Sequence, residues 1–390
     1  MLTFPVLVAF LLCAFKDSLQ TLLDDLLPAV GGVGLRAVTK SAVSQARRKL
    51  KATVFEALNA ELTGLLNALL PEPRWRGLRL VATDSTTLRV PPWLENQEEF
   101  GVQQDTGGQP YVLARALGLL ATTSRLMLKS VVGRFEDAER ALLLTVLSHL
   151  EADDLLIMDR GFPALWLFAW LQQGSRPFLA RMDGTRWPAV EAFLRSDQTE
   201  TLLTRTISAK VRRKARAAGV ELSEAPLVVR LIKVILPNGR IEVLATSLTD
   251  TAAFPAIEFG SLYHARWNIE EAFKLLKHRL YLEQFSGELP ESIRQDFHAK
   301  VFTANLAEAL AREAYATLPE HKAARYYPNV TYILNSLGKY LFGWLVQHAP
   351  AELIRSLIAL YAKTLERKRP GRTAPRPKSR LNPKPRRQYK

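Results

Sequence analysis

The hydrophobic pattern divides the chain into a helical beginning, a central region of strands and helices, and a helical end. Residues 1–72 keep the spacing of three to four residues between apolar side chains that is typical of helices. From residue 78 the apolar positions alternate, as in "LRLVATDSTTLRV", and this spacing predicts a strand. After residue 258 the helical spacing returns and continues to about residue 366.

The central region alternates between the two periods. "ARALGLLATT" and "RLMLKSVVGRF" predict two further strands, and "DDLLIMDRGF" and "PFLARM" predict two short buried ones. "EDAERALLLTVLSHL" and "PALWLFAWLQQ" lie between them and predict helices. Strands interleaved with helices in this order predict an α/β fold, a mixed sheet flanked by helices.

Residues 184–247 have a different character. "PLVVRLIKVILPNGRIEVLATSL" predicts a β-hairpin that turns at Asn238 and Gly239, and the basic run "KVRRKAR" precedes it. We interpret this stretch as a β-rich insertion. The predicted regions are therefore 1–72 (helical), 73–183 and 248–310 (the two parts of an α/β core), 184–247 (the insertion), 311–366 (C-terminal helices) and 367–390 (a tail).

Charge points to an anionic partner. The 390 residues carry a formal charge of +15, and the tail contributes eleven Lys or Arg without an acid. Nucleic acid is the first candidate and an acidic membrane surface the second. The tail has the composition of a disordered segment that binds polyanions without sequence preference, so the charge says less about the folded part. The single cysteine, Cys13, excludes an intrachain disulfide.

The first fifteen residues, "MLTFPVLVAFLLCAF", are apolar and uncharged. A signal peptide is one interpretation, but a basic start and a clear cleavage site are missing. A first helix that packs into the domain is the favoured alternative. No later segment has eighteen uninterrupted apolar residues, so we expect a soluble protein without a membrane partner.

Two basic segments are candidate DNA contacts. "TKSAVSQARRKLKATVFEALNAEL" begins at a Thr/Ser cap and predicts a helix with a basic end. A helix lying on DNA and a solvated amphipathic helix explain it equally well. The candidate residues in this helix and in the run at 210–216 are Arg47, Arg48, Lys49, Lys210, Arg212, Arg213 and Lys214.

"YHARWNIEEAFKLLK" (263–277) places polar groups along the edge of an apolar helix face. At 100° per residue, Tyr263, Arg266, Glu270 and Lys277 share an arc of about 60°. A carboxylate between a tyrosine and two cations suits a site. By helix geometry alone, an ion-pair ladder of Glu270 with Arg266 or Lys274 is favoured slightly over a site.

Two aspartates shift that balance. Asp84 is predicted to end the strand "LRLVATD", and Asp159 to end the strand "LLIMD". Strand ends in α/β proteins often border ligand clefts, although aspartates there also cap turns. Together with Glu270 they would supply an all-oxygen site for two divalent ions such as Mg²⁺, with Mn²⁺ as a substitute.

These residues carry a resemblance. The spacing Y-(2)-R-(3)-E-(6)-K, here Tyr263, Arg266, Glu270 and Lys277, resembles the signature of the fourth insertion-sequence family of bacterial DDE transposases. "TDSTT" and "MDRGF" resemble the motifs around that family's catalytic aspartates. "SGELPESIRQDFHAKVFTANLAEAL" and "SAVSQARRKL" are similar to its helix after the glutamate and to its N-terminal DNA-binding region.

The resemblance implies a ribonuclease-H-like core with a β-rich insertion between the second aspartate and the glutamate. It implies that Asp84, Asp159 and Glu270 are the catalytic metal ligands, and that Tyr263, Arg266 and Lys277 contact phosphates. The implied partners are the transposon ends, target DNA and a second copy of the chain in the synaptic complex. The implied reaction cuts at each element end, passes through a hairpin in the best understood relatives, and joins the 3′ ends to target DNA. We expect such a protein in the cytoplasm, associated with the nucleoid.

Other functions have weaker support. Zinc-binding cysteine pairs, an H-E-x-x-H motif and a P-loop are absent from the sequence. A glycosidase could use paired carboxylates but would leave the cations unexplained. A DNA-binding protein without catalysis, such as a decayed or repressing form, and a metal-dependent nuclease without strand transfer both remain open.

Overall fold

The computed structural model describes residues 3–13, 19–26, 38–105, 107–347 and 351–368. The chain folds into two compact units. The first unit comprises Met1–Leu69, Thr87–Ala114 and Phe273–Lys390, and the second comprises Leu70–Thr86 and Arg115–Ala272. The predicted domain boundaries stay a prediction.

Nine strands of the described residues form one mixed sheet, as the alternating segments predict. The strands are β1 (Arg79–Val90), β2 (Val102–Gln104), β3 (Pro110–Ala121), β4 (Leu126–Arg134), β5 (Asp154–Met158), β6 (Phe178–Arg181), β7 (Glu200–Arg205), β8 (Leu227–Ile235) and β9 (Ile241–Thr246). Their order is β2-β3-β1-β5-β6-β9-β8-β7, and β4 also pairs with β3. β5 runs parallel to β1 and β6, whereas β9 is antiparallel to β6 and β8.

Helices cover both faces of this sheet in the second unit. They are α6 (Glu139–Val146), α7 (Leu165–Gln173), α8 (Pro188–Arg195), α9 (Ala209–Ala217) and α10 (Phe259–His264). Leu156 and Met158 of β5 face α6 and α7 in one apolar cluster, whereas Leu155 and Ile157 face α10 in another. A strand that is buried on both faces is apolar throughout, which explains "LLIM". The predicted mixed sheet flanked by helices is confirmed, and its assignment as ribonuclease-H-like stays a prediction.

The predicted hairpin is present as β8 and β9, and Gly239 in its turn has a φ of 78° that favours glycine. These strands pair with β6 through β9 and therefore extend the main sheet. The stretch also contains α8 and α9, because apolar residues such as Val190, Phe193 and Ala215 recur at helical spacing and are buried.

The first unit is mainly helical. Its helices are α1 (Phe4–Cys13), α2 (Leu19–Leu26), α3 (Lys40–Arg47), α4 (Thr53–Leu69), α5 (Leu94–Phe100), α12 (Pro290–Ala316), α13 (Glu320–Ala323), α14 (Val330–Gln347) and α15 (Ala351–Tyr361). α1 is buried from Val6 to Cys13 and packs on α12 and α14, which confirms the packed first helix. A short antiparallel pair, β10 (Tyr326–Pro328) and β11 (Leu365–Arg367), lies near the end. None of the described helices is long and apolar enough to cross a membrane.

Two details of the sequence-based prediction are wrong. Asp84 does not end its strand, because β1 continues to Val90. The segment 263–277 is not one helix, because α10 ends at His264 and α11 (Trp267–Arg279) begins after Ala265 and Arg266. The Arg266 N–H bonds to the Tyr263 carbonyl three residues back at 3.1 Å, and Ile269 bonds likewise to Arg266, so the chain tightens there. Beyond Lys368 the tail lies outside the described residues, and so does its predicted disorder.

Candidate active site

The two aspartates lie side by side because of the strand register. β1 and β5 pair in parallel up to Thr83 opposite Met158, so Asp84 and Asp159 are the next residues on neighbouring strands. An ion pair supports this register at the other end of the same strands. Arg79 lies opposite Asp154, and its guanidinium donates to both carboxylate oxygens at 2.6 and 2.8 Å. The two aspartates therefore lie next to each other at one end of the paired segment, and a buried, bidentate salt bridge joins the strands at the other end.

Both aspartates point to the face covered by α10. Side chains alternate along a strand, and Leu155 and Ile157 belong to the cluster on the α10 side. Asp159 continues that row, as Asp84 continues the row of Leu80 on β1. The apolar cluster therefore ends where the carboxylates begin.

Tyr263 and Arg266 reach this edge from α10 and the turn that follows it. The Tyr263 hydroxyl donates to Asp159 Oδ1 at 2.9 Å. The Arg266 guanidinium donates to Asp84 Oδ2 at 3.2 Å and to Glu270 Oε1 at 2.8 Å. Arg266 is only 2% exposed, so it is a buried cation held between two carboxylates. Its contact with Glu270 is the predicted ion pair, and it forms part of a larger cluster.

Sequence reasoning missed two members of this cluster, Arg181 and Glu242. Arg181 on β6 forms a salt bridge with Asp159, with 2.9 Å between Nη2 and Oδ1, and it donates to Glu242 Oε1 of β9 at 2.8 Å. Ala180 pairs with Met158, so Arg181 occupies on β6 the position that Asp159 has after β5. The signal was present in "FLAR", a polar residue that closes a buried strand.

Burial and charge determine the protonation of the cluster. Burial is the largest influence on Asp84 and raises its pKa to about 6, against the opposing effects of Arg266 and the Ser85 N–H. The charges of Glu270 and Asp159 add to that rise, which shows that the three carboxylates interact. Burial would also raise the pKa of Asp159, but Arg266 and the other donors around it outweigh burial and keep that pKa low.

The tyrosine and the arginine keep their protons. Burial, more than the neighbouring charges, raises the pKa of Tyr263, so its hydroxyl remains a donor at neutral pH. Burial opposes the charge of Arg266, but Tyr263 and the carboxylates outweigh it and raise the pKa of this guanidinium. In the described residues the Nε atoms of Arg181 and Arg266 are buried without a hydrogen-bond partner.

The donor chemistry of the site fits a hard divalent cation. Asp84, Asp159, Glu270 and Glu242 present oxygen atoms only, and these four carboxylates face two guanidinium groups, so the excess charge is negative. As the side chains stand, the part of the chain that the structure describes contains no group of three acidic, His or Cys residues that could hold a metal ion. Arg266 already contacts two of the carboxylates.

Lys277, the last residue of the predicted polar row, belongs to the first unit. Its Nζ donates to the Thr87 carbonyl at 2.6 Å and lies 3.7 Å from Glu283 Oε1. The side chain is one quarter exposed, so its charge stays partly accessible to solvent.

The prediction of Arg47 as a DNA contact is wrong. Arg47 is 3% exposed, and its guanidinium donates to Gln295, Ser286 and the Ser292 carbonyl and forms a salt bridge with Asp296 at 2.7 Å. These partners use the donors that a phosphate would need. Arg48 and Lys49 follow the helix end and are exposed. Lys210, Arg213 and Lys214 are exposed on α9, whereas Arg212 is partly buried and donates to the Ile207 carbonyl at 3.0 Å.

Comparisons with known proteins agree with the resemblance. Residues 75–306, more than half of the chain, match the family model described as the transposase DDE domain. The chain is 27% identical over 307 residues to transposase InsG for insertion sequence element IS4 of Escherichia coli (strain K12), which covers 77% of this chain and 66% of that protein. It is 27% identical over 152 residues to the putative transposase InsZ of the same organism, or 38% of this chain and half of InsZ.

One solved structure is also similar. A synaptic complex of piggyBac transposase with hairpin DNA aligns with 92% of this chain and 74% of its own, at a TM-score of 0.44 and 10% identity. Among the relatives matched by sequence, the chain spans 66% of the length of InsG and 50% of the length of InsZ.

Proposed function

Because the chain belongs to the transposase DDE domain family, whose members catalyse DNA cleavage and strand transfer, we propose that it is the transposase of an insertion sequence. It would bind the terminal repeats of its own element and carry out metal-dependent strand cleavage and strand transfer. Its membership confirms the family that was predicted from the signature at 263–277. The structural observation that best supports the proposal is the position of Asp84 beside Asp159, together with Arg266, which pairs with both Asp84 and Glu270.

We propose Asp84, Asp159 and Glu270 as the ligands of two Mg²⁺ ions, for which Mn²⁺ can substitute. DDE transposases generally use divalent metal ions. When bound, such ions would activate a hydroxyl or water for attack on a phosphodiester and stabilise the leaving oxygen. The interaction among the three carboxylates supports this assignment, since a divalent cation would relieve their repulsion.

The cations of the site would bind the DNA backbone. Arg266 and Arg181 remain charged, and each retains a buried Nε donor without a partner in the described residues. Arg266 is as buried as Arg47, so its guanidinium would become available to a phosphate only if bound metal ions drew Asp84 and Glu270 away from it. Guanidinium groups suit phosphates because they present several donors in one plane. Tyr263 would orient Asp159 and lie close to the same phosphates.

Further DNA contacts would come from exposed cations. Lys277 keeps its proposed role toward phosphates near the transposon end, because its ammonium group is partly exposed. Arg48 and Lys49 would contact DNA from the segment after α3, and the α9 surface would do so through Lys210, Arg212, Arg213 and Lys214. Such contacts contribute affinity without sequence information.

The wider reaction follows the family. We propose cut-and-paste transposition through a DNA hairpin, with a homodimer bridging the two transposon ends and then engaging target DNA. The work of such a protein would place it in the cytoplasm at the nucleoid. A second copy is needed because two ends must be held together for coordinated cleavage and joining.

The decisive experiment uses a labelled DNA fragment that carries the element's own terminal repeats. Wild-type protein should cut at the repeat boundary with Mg²⁺ or Mn²⁺ and not with EDTA, and Glu270→Gln should bind the fragment without cutting it. Glu271→Gln is the matched control, because it changes the neighbouring glutamate of α11 and lies outside the proposed ligand set.

The outcomes separate the candidate functions. Cutting followed by joining to a second DNA supports the transposase. Cutting without joining favours a nuclease. Retarded DNA that is never cut, in either metal, favours a DNA-binding protein without catalysis, in which Arg266 simply neutralises Asp84 and Glu270.

A further inference from the structure

A fourth acidic side chain, Glu139, contacts the segments that carry both aspartates. It is the first residue of α6, and its Oε1 accepts a hydrogen bond from Ser85 Oγ at 2.5 Å. Arg115 of β3 lies 3.4 Å from the same oxygen. The Glu139 side chain is 30% exposed, so its carboxylate is only partly open to solvent. Neither the strand pattern nor the signature residues point to it.

Glu139 acts on Asp84 through Ser85. The Ser85 N–H donates to Asp84 Oδ1 at 2.8 Å, while the hydroxyl of the same serine donates to Glu139. The backbone of Ser85 therefore orients Asp84, and the side chain of Ser85 is held by Glu139. If Glu139 released the hydroxyl, Ser85 would lose the contact that fixes it.

Glu139 also lies against the turn that follows Asp159. A Cβ added to Gly161 would stand 2.8 Å from Glu139 Oε2, a distance that real Cβ atoms essentially never show. The next residue of α6, Arg140, donates to the Gly161 carbonyl at 2.9 Å. The start of α6 thus holds the chain two residues after Asp159 and the residue after Asp84.

We propose that Glu139 is a positioning residue of the active site, which keeps the Asp84 and Asp159 segments at the separation that metal binding requires. The inference rests on the proposed function, since it assumes that these aspartates bind a divalent ion. Residues that orient metal ligands typically change metal affinity 10- to 100-fold when they are altered. The alternative is that Glu139 only stabilises α6, through the interaction of its negative charge with the positive end of the helix dipole.

Two substitutions separate these roles. Glu139→Gln keeps the length of the side chain and an oxygen that can accept from Ser85, but it loses the charge. Glu139→Asp keeps the charge at the helix start, but it is one methylene shorter and cannot reach Ser85 in the same way. Positioning through the hydrogen bond predicts that Gln retains function and Asp loses it, whereas a dipole role predicts the reverse.

The primary measurement is Mn²⁺ binding to the full-length protein, followed by calorimetry or by electron paramagnetic resonance of free Mn²⁺. We expect Glu139→Asp and Glu139→Ala to raise the Kd about 10- to 100-fold and Glu139→Gln to raise it no more than about threefold. Binding of the terminal-repeat DNA should change little in any variant. Glu191→Asp is the control, since Glu191 also occupies the first turn of a helix and pairs with Arg195 on the same helix.

Gly161 provides an independent test of the contact. Gly161→Ala should weaken Mn²⁺ binding in wild type, because the new methyl group displaces the Glu139 carboxylate. The same substitution should have less effect in Glu139→Ala, where the carboxylate is gone. Additive effects of the two substitutions would contradict the proposed contact.

The failures are distinguishable. If wild type binds Mn²⁺ and Glu139→Asp binds it equally well, the positioning role is refuted and the proposed function stands. If Glu139→Gln is as defective as Glu139→Asp, the charge matters instead of the hydrogen bond, and the proposal is also overturned. If wild type does not bind Mn²⁺, with or without terminal-repeat DNA, the proposed function itself fails.

Discussion

The substitution Asp84→Asn should stabilise the metal-free protein while it removes activity. The carboxylate of Asp84 is buried beside Asp159 and Glu270, and its pKa rises from 3.8 to about 6 on folding. Each pKa unit corresponds to about 1.4 kcal/mol, so the ionised side chain costs about 3 kcal/mol of folding free energy at pH 8. Asparagine removes this cost and still offers an oxygen to Arg266.

The sign of the effect depends on pH. Unfolded Asp84 loses its proton near pH 3.8, whereas the folded side chain loses it near pH 6. The folded state therefore binds this proton more tightly, and the cost is absent below about pH 4. It grows between about pH 4 and pH 6 and is complete above pH 6. The advantage of Asp84→Asn should follow the same course.

The assay is thermal unfolding in EDTA, with wild type and variant compared from pH 5 to pH 8. Allowing for weaker contact with Arg266, we expect a net gain of about 1–3 kcal/mol at pH 8. For 390 residues that unfold together this is an unfolding temperature roughly 1–4 °C higher. Divalent metal should then stabilise wild type and leave the variant unchanged, because the variant lacks a proposed ligand.

Asp154→Asn is the matched control because it makes the same chemical change in the neighbouring strand. Asp154 is 1% exposed and accepts from two nitrogens of Arg79, Nε and Nη2. Asparagine keeps only one acceptor oxygen and leaves the buried guanidinium without its counter-charge. We expect about 3–5 kcal/mol of destabilisation there. An Asp84→Asn protein that unfolds at or below the wild-type temperature at pH 8, or an advantage that persists unchanged to pH 5, would refute the reasoning.

The same side chains give three further predictions. At subsaturating metal, cleavage should increase with pH, with a midpoint near pH 6 and a plateau above about pH 7, because Asp84 must lose its proton before it can bind a cation. A flat profile from pH 5 to pH 8 would contradict this. Tyr263→Phe should keep the fold but reduce cleavage, because Asp159 loses a 2.9 Å hydrogen bond worth about 0.5–1.5 kcal/mol. Single-turnover cleavage rates measure the loss, and an unchanged rate would exclude a role of Tyr263 in orienting Asp159. Arg47→Met should lower stability without weakening DNA binding in mobility-shift assays, whereas Arg48→Ala should do the opposite.

The main elements were predictable because their periods are strong. Alternating segments became β1, β3 and β4, and the apolar run of β5 became a strand that is buried on both faces. The break at Ala265 and Arg266 was not predictable, since neither proline nor glycine marks it. At this break the backbone forms hydrogen bonds between residues three positions apart, and the Arg266 side chain contacts Asp84 and Glu270. The positions of those two partners depend on the tertiary fold.

Charged residues show the limit of sequence reasoning more sharply. Arg47 and Arg48 are neighbours of the same type, yet Arg47 is buried against Asp296, 249 residues away, and Arg48 is exposed. The helical spacing gives the face on which Arg47 lies but cannot identify what covers that face. A run of basic residues in a sequence therefore indicates a basic surface only through those of its residues that are exposed in the fold.

Arg181, Glu242 and Glu139 became visible only when the order of the strands was known. Sequence motifs gave the aspartates and Glu270. Arg181, which pairs with Asp159, comes from β6, the neighbour of β5 in the sheet, and Glu242, which pairs with Arg181, comes from β9, the next strand. Register converts these separate strand positions into one site, because Asp84, Asp159 and Arg181 each follow a paired residue in the rows Thr83, Met158 and Ala180. A shift of one residue in either pairing would turn a side chain to the opposite face of the sheet. The salt bridge of Arg79 with Asp154, in the same two strands, therefore supports the register of the proposed active site as well as stability.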